Sequence, residues 1–161
     1  MVYFGNNMRP FHAVFLLAGS ALAAGCGPRP LPPPQIVEPI VIGVTGTNYN
    51  WHVRNPGPDG RLNTEDDIYT VQELRVPIES KIRLELQSLD LLYTFSVPEH
   101  NLREIAVPDL LFTLEFILSE EGEYELRCEQ ICGMIQRMVL GSLIAMSKEE
   151  YSQWLQTEDA R

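Results

Sequence analysis

Beyond residue 36 apolar and polar positions alternate with a period of two, the period of half-buried β-strands. The stretch 81–86 (KIRLEL) alternates without a fault, 49–54 alternates aromatic with polar residues, and 112–118 does so in part. Residues 40–45 form a β-branched run, 124–127 lead into Cys128, and 138–146 supply a last strand. Clusters of Gly, Pro and Asp separate these runs at the intervals of a sandwich or barrel. One segment breaks the pattern near the C-terminus. Ser147 and Glu150 frame a capping box ahead of Tyr151, Trp154 and Leu155 on one helical face. No internal repeat interrupts the order. The expected fold is all-β, a small Greek-key β-sandwich or barrel with a short C-terminal helix, spanning residues 39–157.

The first 25 residues stand outside that pattern. Arg9 is followed by an apolar run over 11–24, too short for a spanning helix, which needs about 20 residues. A basic residue, a short apolar segment and then small residues describe a secretory signal. The segment ends Leu22-Ala23-Ala24-Gly25-Cys26, which resembles a bacterial lipobox. That resemblance implies cleavage before Cys26, lipidation of its thiol, and anchoring of the mature chain at a membrane. Residues 27–34 (GPRPLPPP) then read as a stiff polyproline tether, so 26–38 form a lipidated cysteine and its spacer. No later apolar run is long enough to cross a bilayer. The domain is therefore expected to face away from the cytoplasm as a membrane-anchored lipoprotein.

Charge narrows the partners. The 161-residue chain carries 12 basic and 22 acidic residues, and removing residues 1–25 moves its net charge from −10 to −11. An acidic surface argues against nucleic acid and favours solubility or a basic protein partner. The turn-rich stretch 56–67 concentrates Asp59, Asn63, Glu65, Asp66 and Asp67, hard oxygen donors of the type calcium takes. Their spacing does not match an EF-hand, and a solvated loop explains them equally.

The chemistry centres on Cys128-Glu129-Gln130-Ile131-Cys132-Gly133. Two thiols four apart on one loop can close as a disulfide, favoured in an oxidising compartment. They can also hold Cu(I) with Met134 or Met138, since soft sulfurs suit that ion, or exchange with another disulfide. Only Arg127 and Arg137 lie nearby in sequence to lower a thiol pKa, which weakens the exchange reading.

Three blocks, taken in order, resemble the extracytoplasmic domain of subunit II of haem–copper cytochrome c oxidases. They are Asp90-Leu-Leu-Tyr-Thr-Phe-Ser-Val-Pro98, Ala106-Val-Pro108, and the Cys128–Gly133 loop. The aromatic segment Gly46-Thr-Asn-Tyr-Asn-Trp51 extends the likeness. The resemblance implies a cupredoxin fold, which in that family houses the binuclear copper centre CuA. It places Cys128 and Cys132 at the bridging thiolates and Gln130 at the position whose backbone carbonyl binds copper. Tyr93 and Gln136 fall where the family has its two His ligands. Val139 takes the axial Met position, with Met138 one place early. Gln130 also replaces a Glu, and Ile105 an Asp, that serve the interface with subunit I. Tyr49 and Trp51 match the aromatics through which electrons arrive. His100, in the turn 98–101, falls near the pocket but not on it.

Each copper of such a centre needs an imidazole besides the shared sulfurs. With both replaced, a normal CuA centre is not expected. The expected role is that of an accessory or assembly subunit of a respiratory complex, meeting oxidase subunits or a basic cytochrome c through its surface. The alternatives are an oxidase electron-transfer subunit with altered copper ligation, and a Cu(I)-carrying lipoprotein. None of these makes the domain catalytic alone.

Overall fold

In the computed structural model, residues 37–129 and 138–159 are described. Among these residues, ten strands form two five-stranded sheets. The first contains β1 (Ile40–Thr47), β2 (Asn50–Asn55), β3 (Ile68–Val71), β5 (Ile82–Ser88) and β8 (Phe112–Phe116), in the order β3-β2-β1-β5-β8. The second contains β4 (Glu73–Pro77), β6 (Tyr93–Val97), β7 (Leu102–Ala106), β9 (Gly122–Cys128) and β10 (Met138–Met146), in the order β4-β10-β9-β6-β7. Two pairings, β1 with β5 and β4 with β10, are parallel; the others are antiparallel. This is the expected all-β cupredoxin-like Greek-key sandwich with a short C-terminal helix.

Period-two alternation becomes a two-faced sheet. On β5, Ile82, Leu84 and Leu86 are wholly buried, whereas Arg83, Glu85 and Gln87 point outward. One core joins both sheets, with Ile42, Val44, Trp51 and Val53 from the first meeting Leu74, Phe95, Leu126 and Leu143 from the second. Burying each such aliphatic side chain contributes about 1.5–3 kcal/mol. Strand β6 differs from the rest, because all five of its residues are buried on both faces.

The chain crosses between sheets at Gln72. This residue sits between β3 and β4 at φ 61°, in the left-handed region. Its N–H donates to the Trp51 carbonyl at 2.7 Å, and its own carbonyl accepts the Ser142 N–H at 2.8 Å. One residue therefore ties strand β2 of the first sheet to β10 of the second.

Helix α1 (Lys148–Asp159) closes the opposite end from Cys128. Tyr151 and Trp154 pack on Ile68, and the Arg75 guanidinium lies 5.1 Å over the Trp154 ring. The capping box forms: Ser147 Oγ accepts the Glu150 N–H, and Glu150 Oε2 accepts the Ser147 N–H, both at 3.2 Å. Ser147→Ala is expected to cost about 1 kcal/mol of stability. An unchanged urea midpoint would show that the cap contributes nothing.

Candidate functional site

At the end of the sandwich where β1, β5 and β9 finish, three turns converge. The Leu89 N–H donates to the Gly46 carbonyl at 3.0 Å, which sets the β5–β6 loop against the β1–β2 turn. A bridge between Ser88 and Pro108 brings the β7–β8 loop alongside. Cys128, at the end of β9, is buried beneath them.

The β1–β2 turn is held in an unfavourable shape. Asn48 and Tyr49 both have positive φ, 50° and 59°. A bulky ring tolerates that region poorly. The turn is fixed by two partners, the exposed carboxylate of Asp90 and the buried Tyr93. Asp90 Oδ2 accepts the Asn48 N–H at 2.7 Å, and Tyr93 Oη accepts the Tyr49 N–H at 3.1 Å. Tyr93 in turn donates its hydroxyl to Asp90 Oδ1 at 2.9 Å. Its ring rests on Gly46, where an added Cβ would lie 2.7–3.0 Å from three ring carbons. Trp51, packed 5.3 Å from Tyr93 and 5.8 Å from Phe95, completes the cluster.

Electrostatics fix the protonation states. Burial opposes ionisation of Asp90, yet the Asn48 N–H, the Tyr93 hydroxyl and the Leu91 N–H together hold it below the usual carboxylate range. Burial, then the hydrogen bond and charge of Asp90, push Tyr93 above an ordinary phenol, against the opposing Tyr49 N–H. At neutral pH the pair is a phenol and a carboxylate.

Tyr93→Phe leaves the Tyr49 N–H without an acceptor and is expected to cost about 1–2 kcal/mol near neutral pH. The pH dependence has two signs. Asp90 is depressed in the folded state, so its contribution is present above about pH 4 and lost as pH falls further. Tyr93 is raised, so its contribution is present below about pH 10 and lost as pH rises beyond. The variant should therefore show a shallower acid limb and lack the Tyr93 part of the alkaline limb in urea titrations at several pH values. Parallel wild-type and variant profiles would refute the assignment.

Cys128 is disulfide-bonded, and its Sγ also accepts the Thr94 N–H at 3.3 Å. Gln130, Cys132, Met134 and Gln136, like Cys26, lie outside the described residues. Met138 is the direct cross-strand partner of Cys128, whereas Val139 pairs with Arg127 and is exposed. Paired residues share a face. The thioether one place early in sequence is thus the one beside the cysteine.

Neither imidazole of the domain joins Cys128. His52 points outward from the first sheet. His100 sits edge-on to Tyr124 at 4.2 Å, four residues and roughly 13 Å before Cys128 along β9. Of the two aromatics matched to electron arrival, Tyr49 is partly exposed and Trp51 is wholly buried.

The acidic loop is occupied by its own donors. Asp66 accepts from the Asp59 N–H and the Thr64 hydroxyl, Asp67 accepts from the Asn63 N–H and lies 3.6 Å from Arg54, and Asp59 accepts from the Arg61 N–H. The Thr64 hydrogen bond is the main reason Asp66 lies below its ordinary value. Glu65 is exposed. Among the described residues, no three His, Cys, Asp or Glu side chains gather as a metal-binding group.

Asp90 and Gly46 fall within the quoted motifs, but the sequence alone assigns them no role. The i, i+3 spacing of Asp90 and Tyr93 was the available signal. Nothing in the sequence marks Gly46 as the seat of the Tyr93 ring, because the two are 47 positions apart in numbering and meet only across the sandwich.

Comparison with known proteins agrees with this fold. The chain is 28% identical over 121 residues to cytochrome c oxidase subunit 2 of Synechocystis, covering 75% of this chain and 34% of that protein. It is 24% identical over 139 residues to the alternative cytochrome c oxidase subunit 2 of Bradyrhizobium diazoefficiens, covering 73% and 50% respectively. The chain thus spans a third to a half of the length of these relatives. The crystal structure of the periplasmic domain of subunit II of cytochrome oxidase (CoxB) of Bradyrhizobium japonicum matches with a TM-score of 0.62 at 17% identity, over 75% of this chain and 94% of that one. A mixed-disulfide intermediate between a thioredoxin-like protein and subunit II of cytochrome c oxidase matches at 0.61 and 19%, over 73% and 90%. At these identities the two structures speak for the fold alone. The family profile described as cytochrome c oxidase subunit II, periplasmic domain, matches residues 60–144, and this chain belongs to that family.

Proposed function

We propose that this is a subunit II domain without a normal CuA centre, held on the extracytoplasmic side of a membrane by lipid at Cys26. Its role is that of an accessory or assembly subunit of a respiratory oxidase, acting through surface contacts. The observation that carries this reading is the state of Tyr93. The residue at the first family imidazole is a phenol that donates to Asp90 and carries the Tyr49 N–H. To serve as a phenolate ligand it would have to give up its donation to Asp90 and ionise against a raised pKa. Cys128, the first bridging position, offers a disulfide sulfur rather than a thiolate. We assign its partner as Cys132, the neighbouring thiol on the same loop. This donor set does not fit a binuclear copper centre.

A second reading rests on Met138. Once the disulfide is reduced, Cys128, Cys132 and the cross-strand thioether of Met138 would offer three soft donors, a set suited to Cu(I). The solved relative caught as a mixed disulfide with a thioredoxin-like protein supports a reducible pair in this family. Tyr49 then remains the surface aromatic toward a basic cytochrome c, and an oxidase subunit with altered copper ligation is the third assignment. The loop 56–67 stays a self-bonded surface loop in all three.

Metal and thiol analysis of the isolated domain separates them. The proposal expects no free thiol before reduction and no purple two-copper spectrum after reduction and copper loading. One colourless Cu(I) per chain, lost in Met138→Leu, would instead establish the carrier. Intense visible bands with two coppers per chain would sink the proposal in favour of electron transfer. Anchoring is read separately: Cys26→Ser should release the chain from the membrane fraction, and retention there would refute the lipid assignment.

A further inference from the structure

A phenol yields an electron readily only when its proton leaves at the same time, because the protonated radical is a strong acid. A base fixed at the O–H group makes that possible, burial of the ring protects the radical, and a second oxidisable ring nearby lets the electron hole move on. Tyr93 has all three. Its hydroxyl donates to Asp90 Oδ1 at 2.9 Å, and Asp90 is itself oriented by the Asn48 and Leu91 N–H groups at 2.7 Å each. Its side chain is 0% exposed. Trp51, equally buried, lies 5.3 Å away between ring centroids. Among the described residues, the strained Tyr49 turn meets the phenol oxygen through the Tyr49 N–H, and the Tyr49 side chain reaches solvent.

Other aromatic residues lack the set. Tyr151 is buried, but its hydroxyl has no acceptor among the described residues. Tyr69 is on the surface. Packing alone would be served by phenylalanine at position 93; the carboxylate aimed at the hydroxyl is what packing does not explain.

We propose that Tyr93 is a proton-coupled redox tyrosine, with Asp90 as its proton acceptor and Trp51 as the adjoining relay ring. It would take up single oxidising equivalents that reach the domain at the Tyr49 turn. The oxidant is a high-potential one-electron acceptor, of the class of a high-valent haem–oxo iron. In the forward step the oxidant gains one electron from the phenol. The Tyr93 O–H bond breaks, and an O–H bond forms on Asp90 Oδ1, leaving a neutral phenoxyl radical and a carboxylic acid. A one-electron donor such as ascorbate reverses it, with the proton returning from Asp90. No sulfur atom takes part, so this inference stands apart from the copper question.

The test uses the full chain, air-oxidised and copper-free, with flash-generated tris(bipyridine)ruthenium(III) as oxidant. A neutral tyrosyl radical is expected by freeze-quench electron paramagnetic resonance. Placing 3-fluorotyrosine at position 93, a change small enough to keep the packing, should add fluorine splitting to that signal. Asp90→Asn should slow radical formation by on the order of 10²-fold, as loss of a positioned base does, and heavy water should slow the wild type but not this variant. An unsplit signal with fluorotyrosine at 93 would place the radical elsewhere and overturn the proposal. A rate insensitive to Asp90→Asn would remove the proton acceptor and overturn it equally.

Discussion

Gly141→Ala is expected to cost on the order of 3–5 kcal/mol, from backbone strain and steric overlap together. Gly141 lies at the irregularity in β10 where the register with β9 shifts, and its φ is 144°. A Cβ there would stand 2.7 Å from the Gln72 carbonyl carbon and 2.8 Å from its Cα, and closer still to its oxygen. These are backbone atoms, so no rotamer change can relieve the contact. The same Gln72 carbonyl accepts the Ser142 N–H and anchors the crossing between sheets. Gly60 is the control, since it has positive φ but open space around it; Gly60→Ala should cost about 1 kcal/mol. Thermal or urea unfolding reads both. Equal small effects at the two positions would refute the steric account of Gly141.

Trp51→Ala should be comparably damaging, at about 3–5 kcal/mol. Trp51 is fully buried and fills the space between Tyr93 and Phe95. Its indole N–H finds no acceptor among the described residues, so the loss is one of packing. Removal leaves a cavity under the β1–β2 turn and frees the Tyr93 ring on one side. Trp51→Phe keeps an aromatic in place and should lose clearly less. If the two variants unfold at the same urea concentration, the ring is not the keystone of this cluster. A domain of this size has only about 5–15 kcal/mol in total, so either Gly141→Ala or Trp51→Ala alone consumes a large share.

Where its relatives are expected to hold the first imidazole, this chain holds a tyrosine locked to Asp90, and the same contacts prop up a strained surface turn. Removing the phenol hydroxyl therefore touches turn geometry and charge together, which is why Tyr93→Phe is predicted to alter the acid and alkaline limbs at once.

Strands β1, β2, β5, β8, β9 and β10, and the terminal helix, were legible from the sequence. Each shows alternation, a β-branched or apolar run, or a capping pattern, so local composition carries the signal. Strands β3, β4, β6 and β7 were not assigned. Strands β3 and β4 are short and divided only by Gln72, whose positive φ no Gly or Pro announces. Strand β6 (YTFSV) alternates but is only five residues long, and its burial on both faces, Thr94 and Ser96 included, comes from the packing of the two sheets.

The sequence alone determined which donors exist: two cysteines on one loop, and no imidazole at the two matched positions. Composition settles such questions because a side chain that is absent cannot be supplied by folding. The tertiary structure decided which donors meet. It set Met138 rather than Val139 beside Cys128, buried Trp51 while leaving Tyr49 at the surface, and joined Tyr93 to Asp90 over Gly46. Those outcomes depend on strand register and on contacts between sheets, and neither is written in any local stretch of the chain.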